Sequence, residues 1–122
     1  MRWPHWTIIV LAALLGAWLV FDGIRALTAG DFTTARSGPY AGRLGPWADL
    51  LRAIGIEPRH AAVKLAHVLL GVCWLATAIG LLLHAPWARI AVIGVGAASL
   101  WYLPFGTVLG AAAIVIAAMF LP

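Results

Sequence analysis

Residues Arg59 to Leu70 read "RHAAVKLAHVLL", and the fold turns on how this stretch is read. It opens a long apolar run that continues to Leu83. Yet it sets His60, Lys64 and His67 at spacings of four and three, which is one face of a helix. A polar stripe at the start of an apolar helix has two settings. In a soluble domain it is a wet face. In a membrane protein it lies near the headgroups, and its deepest members need partners.

Composition chooses the second setting. The chain is 64% hydrophobic and 10% charged over 122 residues, with a mean hydropathy of +1.00. Soluble domains carry roughly 25% charged residues. A chain this short cannot bury so much apolar surface in its own core, so lipid must cover the remainder. The net charge of +4 fits anionic lipid headgroups. The basic residues are scattered between apolar runs, which argues against nucleic acid as the partner.

Four spanning helices are expected, at approximately 6–27, 59–83, 87–102 and 104–121, in a single membrane domain over 1–122. The first would be roughly 30 Å long, matching the hydrocarbon core. Trp3 and Trp6 stand at its start, where interfacial tryptophans belong. Its apolar run is longer than a signal-peptide core, and "ALTAG" (Ala26 to Gly30) is a poor cleavage site, so the helix is expected to be retained. "HAPWAR" (His84 to Arg89) and "WYLPFGT" (Trp101 to Thr107) read as tight turns, with Pro104 starting the last helix. Spans three and four are short enough to form a re-entrant pair instead.

The connection from Gly30 to Pro58 is dense in turn formers and contains "PWADLLRAIGI". Trp47, Leu50, Leu51 and Ile54 recur at i, i+3, i+4 and i+7, which predicts a short amphipathic helix over 46–54 at the membrane surface or over the bundle. Pro46 suits its first position and Gly55 its stop. The basic residues of this connection and its helix ends outnumber Arg2 and Arg89 on the other side. The positive-inside rule therefore puts the connection in the cytoplasm.

The polar residues within the spans are the candidate site. Asp22 lies near the end of span one and His67 near the start of span two. Asp22, Arg25, Lys64 and His67 should share a depth, and Asp22 should pair with Lys64 or His67, with Arg25 as a local competitor. Such a cluster either fixes helix packing, forms a pocket for a quinone or lipid headgroup or a proton step, or meets a partner subunit. His67 has no facing histidine for haem within the chain, although two copies of it could meet in a homodimer. His5 and His84 could approach each other at the opposite surface. Cys73, the only cysteine, reads as an apolar filler. No nucleophile–base spacing or phosphate-cradling loop is present, so catalysis has little support and no cofactor is assigned. Gly106 and Gly110 form a small-xxx-small motif, which suits close packing of spans three and four or an oligomer contact.

The segments "SGPYAGRLGPWADLLRAIGIEPR" (37–59) and "SLWYLPFGTVLG" (99–110) resemble those of small four-span membrane proteins of bacteria that have no assigned activity. The layout, with its apolar first helix, long first connection and three close spans, is similar to that of DoxX-like proteins. The resemblance implies an all-α bundle in the bacterial inner membrane and no particular chemistry. The leading expectation is a non-catalytic accessory or structural component that packs on a protein partner or on itself. The alternatives are a small-molecule site beside Asp22, Lys64 and His67, and an oligomeric transporter or channel.

Overall fold

Proline and glycine punctuate the chain into helices. Pro4 sits in the first turn of α1 (Trp3–Ala29), where its missing N–H costs nothing, and Gly30 ends that helix in the left-handed region at φ 95°. Pro46 opens α2 (Pro46–Ala53), and Gly55 follows it at φ 85°. Then come α3 (Ala61–Leu82), α4 (Ala88–Ala98) and α5 (Phe105–Phe120). This computed structural model describes residues 2–34, 37–39 and 41–122, and among them there is no strand. The side chain of His60 caps α3 by accepting from the Ala62 amide at 3.1 Å.

Two helices, α1 with 27 residues and α3 with 22, are long and apolar enough to cross a membrane. The other two are shorter than their sequence suggests. With 11 and 16 residues, α4 and α5 span roughly 16 and 24 Å. Expected to run to Tyr102, α4 stops at Ala98. Pro104 can donate no backbone hydrogen bond and disfavours the α conformation of Leu103. Residues 99–104 instead form successive turns, and the Leu103–Pro104 peptide is cis.

The four long elements close into a ring. α1 packs on α3 and α5, α3 on α4, and α4 on α5. Their directions alternate, so the start of α1 meets the ends of α3 and α5. There Trp3 lies edge-on to Phe120 at 4.9 Å, and His5 lies 5.5 Å from His84. The connection between α1 and α3 covers the other end.

Glycines set the two tightest seams. A Cβ at Gly16 would lie 2.9 Å from the Gly71 carbonyl oxygen, and one at Gly71 would lie 2.7 Å from the Gly16 oxygen. These two helices touch backbone to backbone. Across the ring, a Cβ at Gly110 would lie 2.7 Å from the Gly96 oxygen, and Gly106 abuts the Ser99 carbonyl and the Tyr102 ring. The Gly106/Gly110 motif is therefore used between α4 and α5 within the chain. The α1–α3 seam was not anticipated, although Gly16 and Gly23 at i and i+7 lie on the same buried face as Ala12 and Leu19.

One polar chain crosses the core. The Trp74 indole donates to Ser99 Oγ at 2.8 Å, and that hydroxyl donates to the Val95 carbonyl at 2.8 Å. Ser99→Ala would leave a buried indole N–H without an acceptor. It should destabilise the protein by about 1–3 kcal/mol, read as a lower thermal midpoint, while Ser99→Thr keeps the hydroxyl and most of the stability.

Candidate functional site

The short α4 leaves room for a pocket. Trp101 and Tyr102, in the turn after α4, lie 5.5 and 5.3 Å from the His67 ring. His67 is six residues into α3, roughly 9 Å from its start. The α4–α5 turn therefore stops short of the α3 end, and α2 with its flanking residues fills the space above it.

α2 fills it with Trp47, Ala48 and Leu51, all buried. The expected stripe of Trp47, Leu50, Leu51 and Ile54 is split. Leu50 is 38% exposed and Ile54 65% exposed. The helix ends at Ala53, so Ile54 no longer follows the helical period, and Leu50 lies on the outer flank. The inward face is instead i, i+1 and i+4.

Asp22, Arg25, Lys64 and His67 do gather at this end of the bundle, but the expected pairing is not made. Asp22, 3% exposed, accepts a hydrogen bond from the Thr33 backbone N–H at 2.6 Å. Lys64 donates to the Gly30 carbonyl at 3.0 Å. Arg25 donates to the carbonyls of Asp31 and Phe32 at 2.9 and 2.7 Å. Both cations reach towards the surface, where the chain leaving α1 offers unpaired carbonyls, and neither is drawn down to the carboxyl.

His67 is fully buried. Its Nδ1 lies 2.9 Å from the Val63 carbonyl, which can only accept, so Nδ1 carries the proton of that bond. Nε2 is buried with no hydrogen-bond partner. Phe32 and Trp47 face the imidazole at 4.5 and 4.6 Å. With Trp101 and Tyr102 they make an aromatic cage around it.

Above the cage lies a cavity of about 180 Å³. Its walls include Trp18, Asp22, Phe32, Thr33, Trp47 and Tyr102, with the turn at Leu103, Pro104 and Phe105 on one side. The Trp18 indole donates to the Tyr102 hydroxyl at 2.9 Å, which leaves that O–H able to donate onward. The second carboxyl oxygen of Asp22 makes no hydrogen bond among the described residues. The cavity thus offers an apolar aromatic wall, one carboxyl and one phenol. Among the described residues no three of His, Cys, Asp and Glu converge on a point that could hold a metal.

No protein-family model, curated protein or solved structure matches this chain.

Sequence reasoning found Asp22 and His67 but missed Trp18, Phe32 and Tyr102. Trp101 and Tyr102 read as residues of the tight turn before the last helix. Only the early stop of α4 turns that pair inward, and Pro104 was the available sign of it.

The lip of the site is braced by Arg59, whose Nε donates to Asp31 Oδ1 at 2.9 Å. Partial burial pushes the Asp31 carboxyl up. The Arg59 hydrogen bond, the Phe32 amide and the charges of Arg59 and Lys64 outweigh it and hold the carboxyl below its ordinary value of 3.8. A depressed carboxyl stabilises the fold above its unfolded pKa, and that contribution is lost as the pH falls through the lower folded value. The loss should begin below about pH 4. The pair is well exposed, so Asp31→Asn should cost only about 0.2–1 kcal/mol at neutral pH and flatten the acid limb of a stability–pH profile.

Proposed function

We propose that the chain is a non-catalytic membrane protein that binds the hydroxylated headgroup of a membrane-soluble small molecule, a quinol or a glyceride-like lipid, in the cavity over Asp22. The observation that carries this reading is the Asp22 carboxyl. It is buried in an aromatic cavity wall, satisfied on one oxygen by a loop amide, and makes no hydrogen bond with the other among the described residues. A headgroup with O–H donors supplies what that oxygen lacks. The ring planes of Trp18, Phe32, Trp47 and Tyr102 suit a flat or apolar body behind it. His67 lies behind these aromatics, fully buried, and does not line the cavity.

In this reading all four helices of the ring lie in the membrane, with the long connection in the cytoplasm. α1 and α3 cross. α4 and α5 enter from the opposite side and turn near the depth of His67, beneath α2. Large apolar side chains face outward along every ring helix, including Leu14, Phe21, Leu69, Ile79, Ile90 and Val115. A helix apolar on all sides belongs inside protein or in lipid. Arg25, Arg43, Arg52, Arg59 and Lys64 cluster at the end that would be cytoplasmic. Gly106 and Gly110 pack within the chain, so an accessory subunit would meet its partner through another face.

The test is a titration of the detergent-purified protein with two uncharged probes, a short-chain benzoquinol and a short-chain monoglyceride. Saturable one-to-one binding of either is expected, weakened at least about tenfold by Asp22→Asn. The probe that binds names the headgroup. Failure of both would overturn the proposal.

A further inference from the structure

The wall of that cavity has a second side. Leu44, Gly45 and Pro46 line both the small cavity and a wider surface cleft of about 770 Å³. Among the described residues, the charged groups lining the cleft are Arg43, Arg52 and Arg59 against the single acid Asp49. We infer that this cleft is a binding site for a phosphate group, carried by an anionic lipid headgroup or free in solution.

Three features support the assignment. First, a concave site with three guanidinium groups and one carboxyl concentrates anions. Guanidinium is also the side-chain group whose planar donors match phosphate oxygens in pairs. Second, Arg59 is held in place. Its Nε is committed to Asp31 at 2.9 Å and one terminal nitrogen, Nη2, to the Gly42 carbonyl at 2.9 Å. An anion therefore meets a guanidinium already oriented by the wall. Third, the acid in the cleft is weakly engaged. Arg52 and Asp49 approach to 3.3 Å, with 47% and 79% of their side chains exposed. An i,i+3 pair that open to water contributes little, so Arg52 can turn to a phosphate at small cost. The cleft shares Leu44, Gly45 and Pro46 with the neutral-headgroup cavity, but none of its charged groups lines that cavity.

The experiment is a calorimetric titration of the full chain in neutral detergent with inorganic phosphate and, separately, with dihexanoyl phosphatidic acid. One-to-one binding is expected. Arg52→Gln should weaken it about 5- to 10-fold, and Asp49→Asn, which removes the opposing charge, should strengthen it about threefold. Both side chains are surface groups, and a purely structural role would not move affinity in opposite directions. Tighter binding of the phosphatidic acid than of inorganic phosphate assigns the site to lipid. Equal binding assigns it to free phosphate. Binding of neither probe, or affinities unchanged in both variants, would overturn the inference. Loss of phosphate binding with the benzoquinol or monoglyceride titration intact would remove this cleft and leave the inner cavity standing.

Discussion

Gly71→Ala is expected to lower the thermal midpoint of the detergent-purified protein, and Gly71→Leu to prevent recovery of monodisperse material. A Cβ at position 71 would sit 2.7 Å from the Gly16 oxygen, 2.7 Å from the Val20 backbone nitrogen and 2.7 Å from a Val20 methyl. Two of those three atoms are backbone of α1, so no side-chain rotation relieves the clash. The helices themselves must part. Overpacking of this kind costs about 1–3 kcal/mol for a single methyl group. In lipid the loss falls on the interaction that holds helices together, because close packing rather than water exclusion drives their association. Separation of α1 from α3 also displaces Asp22 from the aromatic residues around His67. Gly94→Ala is the control. Nothing lies within 4 Å of a Cβ there, and in a helix interior alanine is favoured over glycine by about 1 kcal/mol. The midpoint should hold or rise.

Asp22→Asn is expected to leave the fold intact and remove most ligand binding. The asparagine carbonyl can still accept the Thr33 N–H, so the loop stays docked on α1. The other position becomes an NH2 group, which donates and cannot accept a ligand O–H. A buried polar group left unsatisfied costs about 1–3 kcal/mol, roughly a tenfold loss of affinity. Asp22→Leu is the harsher variant. It leaves the Thr33 amide without its acceptor and should loosen the loop as well. Equal thermal midpoints for wild type and Asp22→Asn, with unequal binding, separate a ligand role from a packing role.

The sequence carried those parts of the structure that depend on local chemistry. Gly30, Pro46 and Gly55 mark helix ends by their backbone geometry, whereas Pro4, in the first turn of α1, was not read as a start and the helix begins at Trp3 rather than near residue 6. The hydrophobic runs of α1 and α3 are long enough to need no tertiary context. The approach of His5 to His84 followed from alternating helix direction. Partnerships that depend on the loop were not legible. Asp22 is satisfied by the amide of Thr33, and a backbone group has no residue type to betray it. Lys64 and Arg25 chose carbonyls beyond the end of α1, because these lie nearer water than a carboxyl in the core. Which part of the α2 stripe turns inward depends on the bundle beneath it: Trp47 and Leu51 are buried there with Ala48, whereas Leu50 and Ile54 are exposed. The glycines of the α1–α3 seam were passed over because Gly16 and Gly71 show their purpose only when the two helices are brought together.

The most direct measurement of the central claim is mass spectrometry of the small molecules that stay with the protein when it is extracted gently from its membrane, wild type beside Asp22→Asn. One hydroxylated, membrane-soluble molecule per wild-type chain is expected, with a marked depletion of it in the variant. A wild-type protein that carries no such molecule, or a variant that carries the same amount, would contradict that claim.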